Sequence, residues 1–355
     1  MLRLFTAGGM IIDNVVSPTG AVHRETLGGN AVYSAAGARL WLDAVGIVAL
    51  IPRNYPLQWV ELLRDVGINT EGISSCPEYV GCSEWFFYRD DGSRADRLYA
   101  EPGTFEGFGL SGGHLEAAQV TAFEAFLRAR SVNGLDFSAF RRLHPVRTAD
   151  VPESYREVQG VHLAPNDPVA QRTMAQDLRQ KGRFITLDPG FHAAALPGTA
   201  LDECLPLLDA VLPSEKELHL MVPGVPHSQG LAQLRRAGAS VAVVKLAAAG
   251  ALLDYGGHAG PVSIPVIPVN AIDPTGAGDA FCGGYLAGLL ATADPVCAAL
   301  CGTVSASFAV ESYGPFRLFN AQHDEVLHRW GELAQRCGLQ HSDRLLSQLA
   351  GLRRH

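Results

Sequence analysis

The segment Asp273-Pro274-Thr275-Gly276-Ala277-Gly278-Asp279-Ala280-Phe281 gathers small residues and carboxylates into one short run. Gly276, Ala277 and Gly278 lack bulk, so their amides can approach an oxyanion closely. A helix N-terminus at this point adds unpaired N–H donors and partial positive charge. Asp279, in the first helical turn, is then a candidate general base beside the bound anion. Phosphoryl transfer to a hydroxyl needs both features at once. A plain helix cap uses the same residue types, but the further small pair Gly283-Gly284 carries the pattern beyond a cap. No Gly-Lys-Ser/Thr follows the glycines, so this is not a Walker-type loop.

Such a turn needs an element on each side. The mainly apolar stretch 262–272 is expected as a strand ending at Asp273, with a helix from Gly278 to about Leu290. Short apolar runs predict strands at 4–7, 11–16, 44–50, 160–163, 184–187, 210–212, 241–245 and 251–254. Amphipathic stretches predict helices at 30–41, 57–66, 115–129, 169–181, 215–221 and 230–237. That alternation implies βα units, a largely parallel sheet with helices on both faces, and ligands beyond the carboxyl ends of the strands. One region breaks the rhythm. Residues 79–88 and 94–99 flank Asp90-Asp91-Gly92 as a β-hairpin. Trp85-Phe86-Phe87-Tyr88 is apolar on both faces, so it needs cover on both sides, from substrate and its own domain or from a second subunit. Stretch 320–355 reads as helical and surface-bound, ending in a frayed Arg353-Arg354-His355.

Composition narrows the classes. The 355 residues, 47% hydrophobic and 18% charged, suit a sizeable α/β core. A net charge of −8 argues against nucleic acid or an anionic membrane as the main partner. Seven cysteines show neither Cys-x-x-Cys spacing nor a nearby His pair, so no zinc site or disulfide framework is indicated. Cys282 is expected to pack as a small helix residue. The apolar N-terminus is broken by Arg3 and Asp13, and Lys245 interrupts the best long apolar run, so a reduced, cytoplasmic enzyme is expected. Gly107-Phe108-Gly109-Leu110-Ser111-Gly112 matches a dinucleotide fingerprint, but no strand precedes it and the match is discarded.

Residues 273–286 resemble the C-terminal signature of the PfkB (ribokinase-like) family of carbohydrate and nucleoside kinases. Leu27-Gly28-Gly29-Asn30-Ala31 resembles its N-terminal signature, and the likeness runs from Ala7 to about Leu318. It implies a ribokinase-like α/β fold over 1–318, with a small β lid at 78–99 and a helical extension at 319–355. It implies an ATP-dependent kinase acting on a hydroxyl of a small sugar or related polyol, with a nucleoside kinase as alternative and a non-catalytic ligand sensor as the rival from another class. In that reading Asp279 is the base, and Gly276, Ala277 and Gly278 form the anion hole. Asp13, Gly28, Gly29 and Asn30 hold the substrate, Gly28 and Gly29 by letting it reach the backbone, with Tyr33 where the family more often has Asn. Ser214 and Glu217 stand for an Asn-x-x-Glu motif, Glu217 organising Mg²⁺. Lys245, Ala247 (commonly Gly), Gly250, Thr275 and Tyr313 are expected on the nucleotide side, Tyr313 shaping the adenine pocket. A monovalent cation such as K⁺ is expected near Asp273 and Thr275, and a homodimer through the lid. Asp188 ends a strand that borders the site. The family's Glu at the end of a middle strand is missing here, where Ala164 and Pro165 stand. These departures leave the acceptor open between sugar and nucleoside, and lid aromatics Trp85, Phe87 and Tyr88, with Tyr33, could stack a base.

Overall fold

The structure is a computed structural model that describes residues 2–91, 93–130, 137–179, 183–191, 200–256 and 260–352. The large sheet begins with β1 (Leu4–Ala7), which pairs in parallel with β4 (Val45–Ile51) on one side and β8 (Gly160–Leu163) on the other. Beyond these lie β5 (Asn69–Ser75) at one edge and β9 (Phe184–Leu187), β10 (Ala210–Val211) and β11 (Ala242–Lys245) toward the other. Only β12 (Ala251–Asp254) and β13 (Val262–Ile264) are antiparallel, so the nine-stranded order is β13-β12-β11-β10-β9-β8-β1-β4-β5.

The alternation of side chains along these strands builds two cores. Leu4, Val45, Ile47, Ala210 and Val243 join one, with helices Asn30–Arg39, Ala277–Thr292 and Pro295–Ala309. Phe5, Val48, Val161, Val211 and Val244 join the other, with helices Pro168–Arg179, Glu215–Met221 and His227–Arg236. Covering a parallel sheet on both faces satisfies its near-continuous apolar strands. The C-terminal helices His323–Arg336 and Ser342–Gly351 are not merely surface-bound, because Trp330, Leu333 and Leu349 are fully buried in the first core. The frayed end expected at 353–355 lies outside the described residues. Among the described residues no helix is long and apolar enough to cross a membrane.

A second sheet caps the carboxyl side of the first. It contains β2 (Ile11–Val16), β3 (Val22–Gly28), β6 (Ser83–Tyr88) and β7 (Arg94–Ala100) in the order β3-β2-β6-β7. The lid is therefore more than the expected hairpin, since it includes the strand that carries Asp13. Its outer face presents Val16, Trp85, Phe87 and Leu98 to Phe105, Phe123 and Leu127. Trp85 meets Phe123 edge-on, with ring centroids 4.9 Å apart. This chain's own helices thus provide the cover for which a second subunit was a candidate. Trp85 and Phe87 face away from the site and are corrected as base-stacking candidates. The inner face packs Val15, Phe86 and Tyr88 against Tyr313.

Two strands went unread because β3 and β5 are rich in polar residues and lie at sheet edges. The opposite error occurred at 262–272, where only Val262–Ile264 is strand. Pro265 and Pro268 have no N–H for a ladder, so the chain reaches Asp273 as irregular backbone.

Candidate active site

The anion turn begins at Gly276, which adopts φ 74°. A side chain there would be strained, and its Cβ would lie 2.2 Å from the ring of Tyr33, which forms the floor beneath the turn. The first bond of the following helix is Ala280 N–H to Gly276 O, at 2.8 Å. Ala277 N–H turns back to Pro274 O at 3.3 Å. The expected trio of donors is corrected at Ala277 alone. Of the turn's amides only Ala277 N–H is so engaged; those of Gly276, Gly278 and Asp279 have no acceptor among the described residues, as at the open start of a helix.

Asp279 is half-buried at this point. Burial, and secondarily repulsion from Asp188, push its carboxyl up to about 7, against the pull of Lys245, Arg94 and Arg141. A carboxylate poised near neutrality suits proton transfer. Lys245, at the end of β11, pairs with Asp188 at 2.5 Å and reaches Cys282 Sγ at 3.4 Å. Burial pulls its ammonium down, but Asp188, Cys282, Glu217 and Asp279 outweigh that and hold it well above its ordinary value. Its Nζ lies 3.6 Å from where a Cβ of Gly278 would be, so Lys245 borders the anion turn. Cys282 packs on the helix as expected and also touches this ion pair.

Glu217 joins the same cluster. It forms a capping box with Ser214, accepting from Ser214 N–H at 2.6 Å through Oε2 while Ser214 Oγ accepts from Glu217 N–H at 3.4 Å. Burial, then repulsion from Asp188, raise its carboxyl to about 7. The cap and the site are one arrangement, because the box holds Glu217 against Asp188 and Lys245. Three carboxylates (Asp188, Glu217, Asp279) thus surround one ammonium, a surplus of negative charge that fits a divalent cation keeping most of its water.

On the lid side, Asp13 is 2% exposed, and neither carboxylate oxygen has a hydrogen-bond partner. Burial, followed by Glu84 and Asp273, drives its pKa well above the ordinary value, with Arg94 opposing. The neighbouring strand makes room for it: a Cβ at Gly28 would lie 2.0 Å from Asp13 Oδ2. The expectation that Gly28 admits substrate to the backbone is corrected, since the space belongs to the Asp13 carboxylate. Gly29 adopts φ 104°, and a Cβ there would meet Gly9 O at 2.4 Å, so this glycine serves chain crossing. Asn30 accepts from Gly9 N–H at 2.7 Å and donates to Pro165 O at 3.1 Å. Its side chain is spent on the protein, where a substrate contact was expected; the helix N-cap is Gly29. The hydroxyl of Tyr33, also buried, has no partner.

Several nucleotide-side expectations move. Thr275 donates to Asp273 Oδ1 at 2.7 Å and shares a 2.8 Å bond with Tyr88 OH, so its hydroxyl is already engaged. Tyr313 stacks on His23 of β3, with centroids 3.4 Å apart, and faces the lid in place of the expected adenine pocket. Gly250, at φ 88°, turns β11 into β12 against Ile264 O, 2.1 Å from where its Cβ would be. Ala247 takes φ 50°, a left-handed conformation that explains why glycine is common there. Asp273 Oδ2 is buried without a partner, which fits a cation beside the turn.

Sequence reasoning missed Arg94 and Arg141. Arg94 donates to Tyr88 OH at 3.3 Å and acts on Asp13, Asp273 and Asp279. Arg141, on helix Phe137–Leu143, donates to Pro165 O and lies beside Gly9. No local motif marks either one. The strand-end position of Asp188 was the only signal for its part in the cluster.

Residues 150–318 match the family described as pfkB family carbohydrate kinase. A cytidine kinase of Thermococcus kodakarensis is 25% identical over 291 residues, covering 81% of this chain and 88% of that protein. A Burkholderia thailandensis nucleoside kinase in complex with ADP-inosine superposes with TM-score 0.69 at 16% identity, covering 93% and 96% of the two chains. A putative ribokinase II from E. coli, in complex with ATP and Mg²⁺, superposes with TM-score 0.64 at 18% identity, covering 95% and 100%. Joined to an anion turn that ends in a near-neutral carboxylate, these likenesses are those of a kinase with the ribokinase-like fold whose residues 150–318 match the pfkB family model.

Proposed function

We propose that this kinase transfers the γ-phosphoryl group of ATP to a ribose hydroxyl of a nucleoside. The observation that carries the reading is Asp13, a buried carboxylate whose two oxygens have no donor. Leaving such a group unpaired costs on the order of 1–3 kcal/mol or more. Two vicinal sugar hydroxyls would supply the missing donors. The nucleoside is favoured over the free sugar or polyol because the long-range relative is a cytidine kinase and a structural neighbour holds inosine with ADP.

In this reading Asp279 accepts the proton of the attacking hydroxyl. The free amides of Gly278 and Asp279 face the charge of the moving phosphoryl group, and Lys245 adds its own positive charge beside them. Glu217 keeps one carboxylate oxygen clear of its capping bond, and with Asp188 it would hold Mg²⁺ through water. Mg²⁺, when bound, supplies charge neutralisation on phosphate oxygens. Asp273 Oδ2 would hold a monovalent cation against the back of the turn. Of the aromatic residues expected to stack a base, Tyr88 is left on the acceptor side, because Tyr33 is buried as the floor of the anion turn.

A coupled ADP-release screen over nucleosides, free pentoses and hexoses, sugar phosphates and polyols tests the reading. It expects nucleosides to show kcat/KM at least tenfold above any free sugar. Turnover with free sugars alone would replace the nucleoside. Binding of ATP and Mg²⁺ without turnover of any acceptor would favour the sensor.

A further inference from the structure

Away from the kinase cleft, the end of β5 meets the C-terminal end of helix Phe137–Leu143. Cys76 follows β5 directly, Glu78 stands two residues later, and His144 is the first residue past the helix. The Cys76 Sγ, a Glu78 carboxylate oxygen and an imidazole nitrogen of His144 all lie within 4.8 Å of one another. Among the described residues this is the one such Cys/His/carboxylate group.

We propose that Cys76, Glu78 and His144 form a site for a borderline-soft divalent metal, Zn²⁺ by chemistry, with a fourth position open to water. Thiolate, imidazole and carboxylate are zinc's protein ligands, at about 2.3, 2.0–2.1 and 2.0–2.2 Å. Three atoms no more than 4.8 Å apart all lie within about 2.8 Å of some common point, so closing on zinc asks for shifts of under ~1 Å.

Two further observations favour a ligand there. Glu78 Oε2 is buried and has no hydrogen bond, although His144 Nε2 is 3.0 Å away. The two groups face one another without the alignment a hydrogen bond needs, as two ligands of a common centre do. The site is also accessible: the side chains of His144 and Glu78 are 26% and 31% exposed, while Cys76 is buried behind them. A hard ion such as Mg²⁺ gains little from a thiolate, so this site and the carboxylate cluster around Lys245 select different metals.

Its position gives it a task. The metal would tie the loop after β5 to the helix whose Arg141 reaches Pro165 O, the carbonyl that Asn30 also contacts. It would act as a clip between the lid's approach segment and that helix.

The test is titration of nucleotide-free full-length protein with Co²⁺, read by the near-ultraviolet absorption of a cobalt–thiolate bond, and with Zn²⁺, read by equilibrium dialysis and thermal melting. One equivalent of zinc, a thiolate band and a raised melting temperature are expected. Cys76→Ser should abolish the band. His144→Ala should weaken zinc binding at least tenfold while melting like the parent protein without metal. A band that persists in Cys76→Ser assigns the metal to another cysteine and overturns the proposal. So does the absence of any zinc equivalent at micromolar metal, or a His144→Ala protein that binds zinc as tightly as the parent.

Discussion

Tyr88 and Thr275, 187 residues apart in the chain, share a buried hydroxyl–hydroxyl hydrogen bond of 2.8 Å. The bond joins the lid sheet to the anion turn, and Thr275 passes it on to Asp273 through a second bond of 2.7 Å. Tyr88→Phe leaves the ring in place and deletes the link. Loss of a buried hydrogen bond of this kind costs about 1–3 kcal/mol. Tyr88→Phe is therefore expected to lower kcat/KM by roughly 5–30-fold, as a loss of about 1–2 kcal/mol does. Thr275→Val should cost at least as much, and the double variant less than the sum of the two. Additive losses in steady-state kinetics would show that the two hydroxyls act separately.

The carboxyl of Asp279 is raised to about 7, and its ionised form is the one that accepts a proton. The sign follows directly: kcat/KM should rise as pH increases through about 7 and level off above it. Glu217 titrates in the same range, so the observed midpoint belongs to the cluster. Asp279→Asn should reduce kcat by about 10²–10⁴-fold with little change in ATP affinity by calorimetry. Glu217→Gln should instead raise the Mg²⁺ concentration needed for half-maximal rate and leave the pH limb standing. A pH profile of each variant separates the two.

Stability runs the other way with pH. Asp13, Asp279 and Glu217 all have folded pKa values above their unfolded ones. Between about pH 4 and 7, the range set by Asp279 and Glu217, the folded chain holds protons that the unfolded chain has released, and Asp13 acts in the same direction. Their contribution is thus most favourable at low pH and is lost as pH rises through that window. Asp13→Asn removes one of these groups, so its apo form should melt higher than the parent at pH 8 and more nearly alike at pH 5. The same variant should lose nearly all turnover. Paired melts and rates at the two pH values check this.

Gly28→Ala would place a Cβ 2.0 Å from Asp13 Oδ2. Either the carboxylate or the β2–β3 ladder must yield, at a cost of about 1–3 kcal/mol as in other overpacked sites. Acceptor KM should rise at least tenfold while ATP affinity holds. Adding Asp13→Ser should recover stability without recovering turnover, measurable by urea unfolding beside kinetics.

Ala247 holds φ 50°. A non-glycine residue pays about 1–2 kcal/mol in this region, partly offset by glycine's greater freedom when unfolded. Ala247→Gly should therefore stabilise the protein by roughly 0.5–1 kcal/mol by denaturant unfolding.

How much of this was legible depended on locality. Asp273–Asp279 was readable because a cradle and its base are written contiguously. Asp13 was readable because an acid closing an apolar run needs a reason. Glu217 was singled out from its place after a strand, yet only the fold shows that its cap and its place beside Lys245 are a single arrangement. The purpose of Gly28 was misread because it depends on the strand pairing that sets Ile11 opposite Gly28 and Asp13 opposite Thr26. Arg141 and the Tyr88–Thr275 bond were invisible, since each arises between segments more than twenty residues apart. Tyr313 went to the wrong side for a similar reason: its partner His23 lies on a polar strand that carried no apolar signal.

The clasp of Asn30 on Gly9 has one more consequence. The chain enters the lid sheet through Gly8-Gly9-Met10 and leaves its first two strands through Gly28-Gly29, and Ala31 N–H bonds to Gly9 O at 3.2 Å where the two crossings meet. The Asn30 side chain pins that crossing. Asp13 sits on β2 of the lid sheet, while Asp279 sits in the first turn of helix Ala277–Thr292. In the proposed reading, recognition of the acceptor and removal of its proton therefore fall to different elements, and the crossing at Gly9 fixes how the lid sheet that carries Asp13 joins the large sheet.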